Sequence, residues 1–271
     1  GVQTCALPIY FLEGGFQMKK SVYISKLLFT NIFILSSLIT QPASAVLSLD
    51  DKVGIGTEIT TIYRAARGVV AKNQKLINDA SIGDKGLSAD VVLAKTKENY
   101  KKATGNDFKM ADAGTLKAEA QTALLNSIRN VVDNNQSLIN EKGKGLKGFL
   151  PAIFAKQMGD NFNKNIKGKA YIKLTAPKNY VRNRANRPDK WEADVIENKF
   201  KSGSYEKNKV FTGNATHKGK PAFRLILPEY YKEACLNCHG EPKGERDITG
   251  GKKEGGKLGE LGGAISFVIY N

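Results

Sequence analysis

The sequence has few of the side chains that form cross-links or bind metals. Its 271 residues include only three cysteines, two histidines and three methionines. Cys5 precedes a predicted export signal, so the mature chain would keep two cysteines, which excludes a framework of several disulfides. A zinc site would need further Cys or His ligands beside the two remaining cysteines and their neighbouring histidine, and the sequence offers only His217.

Residues 18–45 have the three parts of a secretory signal peptide. A basic start at Met18–Lys20 precedes an apolar stretch from Leu27 to Ile39 and the small residues Ala43–Ala45. We expect cleavage after Ala45, a periplasmic mature chain, and a non-native extension in residues 1–17. An uncleaved anchor is the alternative. No later apolar run approaches the roughly 18 residues of a membrane span, so none is expected after cleavage.

Cys235-Leu236-Asn237-Cys238-His239 is the C-x-x-C-H motif of covalent c-type heme attachment. Two thiols at this spacing can form thioethers with the vinyl groups of one heme, and the histidine that follows can bind the iron. A thioredoxin-like redox pair is the alternative, but that pair occupies a strand-to-helix junction in a βαβ unit, which the flanking sequence does not predict. The sequence therefore predicts one covalent heme c, with His239 as its proximal ligand.

The chain is basic, with a formal charge of +16 at pH 7. A basic surface favours acidic partners and steers the docking of an acidic redox protein. Nucleic acid is not expected as a partner, because the chain is exported and its lysines are scattered among acidic residues. The glycine- and lysine-rich segment from Gly250 to Lys257 is predicted to be a flexible, solvated loop.

The first half contains an internal repeat. The segment from Arg67 to Asn78 recurs as Arg129–Asn140, and Lys85–Leu87 recurs at the same spacing as Lys147–Phe149. Apolar residues follow helical spacing in both copies, which predicts a duplicated helical hairpin. Shorter helices are expected near residues 89–100 and 151–162.

Two asparagines at equivalent positions of the repeat, Asn73 and Asn135, fall on the apolar stripes. A buried amide needs hydrogen-bond partners. These side chains are therefore either structural hydrogen-bonders or polar groups that face a cofactor pocket, and Asn135 is the stronger candidate for the second role.

The second half has the period of β-strands. Strands are predicted at residues 170–175, 210–213, 222–227 and 264–270, with a hairpin loop over residues 213–219. A helix is expected to start with Asn186 as its cap and Asp189 in its first turn. Helices followed by antiparallel strands predict an α+β fold.

The chain resembles the family of periplasmic mono-heme c-type cytochrome and sensor domains with a PAS-like fold, formerly catalogued as a domain of unknown function. The segments that carry the resemblance are Gly148–Ala155, Val181–Glu192, the heme motif with Gly240–Pro242, and Gly262–Ser266. The resemblance covers residues 118–271 and implies an antiparallel sheet that cradles the heme, used as a redox or sensing module. Residues 46–117 lie outside it and are interpreted as an added helical hairpin.

Three arginines precede the predicted helix: Arg182, Arg184 and Arg187. Guanidinium groups match carboxylates in bidentate geometry, so this cluster is a candidate for binding the heme propionates. Solvated loop arginines are the alternative, and the family usually has proline where Arg184 stands. Trp191 either packs against the macrocycle or anchors its helix to the sheet.

The sixth iron ligand stays open. The resemblance implies that cysteine, methionine or water can fill this position, and cysteine is excluded once Cys5 is removed. Met158 on the helix after Pro151, Met110 in a polar stretch, and His217 in the hairpin loop are the side-chain candidates. The identity of this ligand matters because it sets both the reduction potential and the reactivity of the iron.

Three functions are compatible with these features. A periplasmic cytochrome that transfers single electrons or senses redox state fits best. A sensor that binds NO, CO or O2 at an open or displaceable sixth position is the alternative. A peroxidase-like enzyme would need a distal acid or base, which only His217 could supply, so we expect no enzymatic activity.

Overall fold

The computed structural model describes residues 47–271, so the predicted signal peptide, its cleavage site and Cys5 lie outside the described residues. The described chain is a mixture of helices and one antiparallel sheet, which confirms the predicted α+β class. Its helices and strands are α1 (Leu49–Lys72), α2 (Gln74–Ile77), α3 (Ala89–Thr104), α4 (Leu116–Asn134), α5 (Gln136–Asn140), α6 (Pro151–Asn165), β1 (Ala170–Thr175), α7 (Lys190–Val195), β2 (Phe211–Asn214), β3 (Ala222–Tyr230), α8 (Glu233–His239) and β4 (Leu261–Tyr270).

Each copy of the repeat contains a long helix, a break at asparagine and a short helix. The side-chain amide of Asn73 donates to the carbonyl of Val69 at 2.8 Å, and that of Asn135 donates to the carbonyl of Val131 at 2.7 Å. Asn135 also donates to Gln157 at 3.0 Å. Both asparagines are therefore structural hydrogen-bonders that satisfy the backbone where the helix breaks.

The loops of the two copies bind each other reciprocally. The backbone N–H of Lys85 donates to the side-chain oxygen of Asn140 at 3.0 Å, and that of Lys147 donates to Asn78 at 3.3 Å. Asn78 and Asn140 occupy equivalent positions of the repeat, as do the two lysines. The two copies thus form a pseudo-symmetric pair, which explains why the repeated segments extend into the loops.

The sheet has the order β1-β4-β3-β2, and every neighbouring pair is antiparallel. The prediction for β1 has the observed bounds. Strands β3 and β4 are longer than predicted and extend to Tyr230 and Leu261, where Tyr230 pairs with Leu261 beside an irregularity in the register. This extension matters because the C-x-x-C-H motif follows the end of β3.

Alternate residues of β3 and β4 face opposite layers, as strand geometry requires. Phe223, Leu225 and Phe267 belong to the core that the sheet shares with the helices of both copies. Gly56 of α1 lies so close to Leu225 that an added Cβ would be 2.9 Å from its side chain. The helices predicted as an added layer over residues 46–117 therefore share one core with the sheet.

The other face of the sheet is covered by α7 and the π-helical turn Ile196–Phe200. Asp189 caps α7, because its side chain accepts from the backbone N–H of Glu192 at 2.9 Å and Glu192 accepts from Asp189 N–H at 2.8 Å. The prediction that Asn186 caps this helix was wrong. Asn186 instead ends a 3-10 turn. Arg187, Pro188 and Asp189 lie between it and Lys190, the first residue of α7.

Candidate functional site

The C-x-x-C-H motif forms the last five residues of α8, between β3 and β4. Cys235 and Cys238 are three positions apart and His239 is four positions after Cys235, so the three side chains share one side of the helix. Both cysteines are free and partly exposed. A strand does precede this helix, but β3 and β4 are antiparallel, so the motif is not part of a βαβ unit.

The imidazole of His239 is oriented by two neighbours. Its Nδ1 is 2.8 Å from Oε2 of Glu254, and its ring stacks on that of Tyr231, with centroids 5.5 Å apart and an angle of 20° between the planes. The side chain of His239 is 34% exposed. Because a carboxylate accepts at Nδ1, the proton lies on Nδ1 and Nε2 is left to bind a metal.

Arg182 joins the motif to the loop that follows it. Its guanidinium donates to the carboxylates of Glu254 and Asp247, to the carbonyl of Cys238 at 2.5 Å and to that of Lys252 at 3.0 Å. Burial would raise the pKa of Asp247, but hydrogen bonds from Thr249 and Arg182 lower it to about 2. Arg182 therefore joins two carboxylates, and one of them, Glu254, contacts the imidazole of His239.

The loop over residues 250–257 packs against the motif through Glu254 and Gly256, so the predicted solvated loop is exposed only in part. The side chain of Glu254 is only 8% exposed, and the backbone N–H of Gly256 donates to the carbonyl of His239 at 2.7 Å. An added Cβ at Gly256 or Gly262 would lie 2.3 Å from the ring of Tyr231. These glycines therefore permit the close approach of backbone and ring beside His239.

A second charged cluster lies at the end of β3 that leads into α8, and the sequence did not predict it. Arg64 and Arg67 of α1 both pair with Glu229 near the end of β3, and Arg64 also donates to the carbonyl of Pro228 at 2.6 Å. Burial lowers the pKa of Arg67, and Tyr63 and Cys235 partly oppose this shift. The cluster has one more cation than anion and lies at the end of the strand that leads into the motif.

The other residues predicted for the cofactor form none of these contacts. Arg184 and Arg187 are exposed, and within residues 47–271 neither forms an ion pair. Trp191 packs on β2 and β3, where its ring lies 6.1 Å from that of Phe211 and 4.5 Å from the Arg224 guanidinium carbon. These contacts match the anchoring role considered for Trp191.

The three side-chain candidates for the sixth iron ligand lie in different environments. Met158 is fully buried among the apolar side chains that α6 shares with the sheet, whereas Met110 is half exposed. His217 is buried before β3, at the opposite end of that strand from the motif, and its Nδ1 is 2.7 Å from the hydroxyl of Tyr270. The nine residues of β3, a length of roughly 25–30 Å, lie between His217 and His239.

Residues 47–271 contain no helix with both the length and the hydropathy of a membrane span. No group of three or more His, Cys, Asp or Glu side chains there has the arrangement of a metal site.

Comparison with known proteins identifies a family. The model of the Tll0287-like family matches residues 58–269, which is most of the chain. The match begins within α1, so it includes much of the first helical copy, which the resemblance over residues 118–271 left out. No curated protein and no solved structure matches the chain. The chain belongs to the Tll0287-like family.

Proposed function

We propose that the chain is an exported, PAS-like mono-heme c-type protein that transfers single electrons or senses redox state. The observation that carries this proposal is the arrangement of α8. Two free thiols and one imidazole share a side of this helix, and a carboxylate occupies Nδ1 of the imidazole. This donor set fits a covalently attached heme, because it supplies two thioether positions and one nitrogen ligand.

Cys235 and Cys238 would hold the porphyrin by thioether bonds, and Nε2 of His239 would bind its iron. When bound, the heme supplies a one-electron couple whose potential depends on its axial ligands and their hydrogen bonds. The chain's own residues would fix the orientation of the imidazole and limit the access of water. Tyr231 contributes to both, because its ring stacks on His239 and is itself largely buried.

Arg64 and Arg67 are the best candidates for binding a heme propionate. They lie at the end of β3 that leads into α8 and share a single carboxylate, Glu229, so one positive charge is left for an incoming anion. Arg182 is less suited to this role than the sequence suggested, because its donors are already bonded to two carboxylates and two carbonyls. Its neighbours Arg184 and Arg187 are free to bind a partner or a propionate.

The physiological partner in this proposal is an acidic redox protein. Support comes from the basic charge of the chain, which is formally +16 in full and +14 once residues 1–45 (three lysines and one glutamate) are removed, and which would accelerate the docking of an acidic surface in a salt-dependent way. The proposed location is the periplasm, since residues 18–45 predict export out of the cytosol. The proposal includes no catalytic step.

A gas-binding sensor is the second candidate, and the positions of the sixth-ligand candidates favour it. His217 lies at the far end of β3 and is bonded to Tyr270, and Met110 is half exposed. An iron without a side chain at its sixth position would bind NO, CO or O2. Met158 is the remaining side-chain candidate, and its coordination would favour electron transfer.

Carbon monoxide separates the two candidates. We expect the absorption spectrum of the purified, reduced protein to stay unchanged after CO is added, because electron transfer proceeds best with both axial positions filled. Rapid formation of a CO adduct would replace electron transfer with gas sensing as the proposed function. A Met158→Ala variant provides the matched control, since CO should bind to it if Met158 is the sixth ligand.

A further inference from the structure

Glu254 directly contacts His239, the proposed iron ligand, although the two residues are fifteen positions apart in sequence. Its Oε2 is 2.8 Å from Nδ1 of His239, and its carboxylate also accepts from the guanidinium of Arg182. Backbone bonds hold the loop that carries it, since Gly255 donates to Gly240 and Gly256 donates to His239. The contact is therefore built into the fold of the loop.

A carboxylate at this position has two physical effects on a metal-bound imidazole. It fixes the tautomer and the orientation of the ring, and it makes the ring a more basic ligand. Its negative charge also favours the oxidised iron, which carries one more positive charge than the reduced iron. Both effects stabilise the ferric state relative to the ferrous state.

Three side chains that bond to one another carry charge beside His239. Glu254 and Asp247 contribute two negative charges, and Arg182, which bonds to both, contributes one positive charge. The carboxylate of Glu254 is 8% exposed and that of Asp247 is fully buried, so solvent screens their charges less than those of surface residues. Removing one carboxylate therefore makes the local charge more positive, whereas removing the guanidinium makes it more negative.

We propose that Glu254 is a positioning residue that holds His239 with Nε2 toward the iron and lowers the heme reduction potential, while Arg182 limits this effect by compensating its charge. This inference rests on the proposed function, because it concerns the potential of a bound heme. It assigns Arg182 to the carboxylates beside the proximal histidine and not to a propionate.

The test is a spectroelectrochemical titration at one fixed pH, performed on purified protein whose heme content has been established by intact mass. Glu254→Gln keeps an acceptor and removes the charge, and we expect it to shift the reduction equilibrium toward the ferrous form by about tenfold, or about 59 mV upward for one electron. Arg182→Gln should shift the potential downward. Glu245→Gln is the matched control, because Glu245 is a half-exposed carboxylate that precedes the loop and pairs with Lys253 within it.

An unchanged potential in Glu254→Gln, or a shift no larger than that of Glu245→Gln, would overturn the inference. A rise of the potential in Arg182→Gln would also overturn it. If Glu254→Gln does not retain heme, the Arg182→Gln measurement and the unsubstituted protein decide the question. In the unsubstituted, reduced protein, with CO added if the iron is high-spin, ¹⁵N-histidine spectra should show an Nδ1 proton in slow exchange with water.

These outcomes distinguish the inference from the proposed function. Unsubstituted protein that carries no heme would contradict the proposed function itself. Heme-loaded protein whose potential does not respond to Glu254→Gln, or whose Nδ1 proton exchanges freely, would contradict only the role of Glu254. The ¹⁵N spectra are simple to assign, because the chain contains two histidines and His217→Gln removes one of them.

Discussion

The only two histidines of the chain lie at opposite ends of strand β3, in contrasting environments. His239 follows the strand, is partly exposed, and bonds to the carboxylate of Glu254. His217 precedes the strand, is buried, and bonds to the hydroxyl of Tyr270. Both are candidate iron ligands by residue type alone, and only their surroundings separate them.

The hydrogen-bond partner of Nδ1 determines the chemistry that is left to Nε2 of each histidine. A carboxylate on Nδ1 fixes the tautomer of His239 and leaves Nε2 free to bind a metal. Burial lowers the pKa of His217 to about 4, with further lowering by Arg224, Lys218 and Lys173 that Asp189 partly opposes. His217 is thus a neutral, structural side chain at neutral pH.

The largest expected difference concerns the heme. His239→Ala should remove the proximal ligand and abolish the low-spin absorption bands of the reduced protein, because no other imidazole lies near α8. His217→Gln should leave those bands unchanged. Absorption spectra of the two purified variants provide the measurement, and loss of the bands in His217→Gln would reverse the roles assigned to the two histidines.

The next largest effect is the contribution of His217 to the pH dependence of stability. Its pKa is about 4 in the folded chain and about 6.5 when unfolded, so below pH 6.5 the unfolded chain binds its proton first. The stabilisation is therefore complete above pH 6.5 and decreases as the pH falls toward 4. Urea denaturation across this range should show a steeper loss of stability in the unsubstituted protein than in His217→Gln, and identical slopes would refute the assignment.

The smallest effect comes from the partner of His217. Tyr270→Phe removes one hydrogen bond and leaves the ring in place, so we expect a loss of about 1 kcal/mol in the free energy of unfolding. Heme absorption should not change, since Tyr270 is at the end of the sheet opposite the motif. A Tyr270→Phe protein with full stability would mean that Nδ1 of His217 finds another partner, such as water.

Several elements of the fold followed from local sequence patterns. Strand β1 could be predicted to the residue because its alternation ends at Pro177, and the duplicated helices because their apolar periodicity recurs. The motif itself was evident from five residues. The cap of α7 was misassigned to Asn186 because both Asn186 and Asp189 are good capping residues, and only the backbone conformation distinguishes them.

The surroundings of the motif could not be predicted in the same way. Arg67 and Glu229 are 162 residues apart, and Arg182 and Glu254 are 72 residues apart, so their pairing depends on the packing of α1 and of the loop on the sheet. A glycine- and lysine-rich segment is typical of a solvated loop, and the single carboxylate within it gave no signal of burial. Distant charge pairs of this kind become visible only when the tertiary structure is known.

Intact-mass analysis of the exported protein tests the central claim most directly. We predict that the unsubstituted chain, produced with a c-type heme maturation system and purified from the periplasm, carries the added mass of one heme under denaturing conditions. The variant with Cys235→Ala and Cys238→Ala should have the mass of the bare polypeptide. An unsubstituted chain with only its polypeptide mass would contradict covalent heme attachment and, with it, the proposed function.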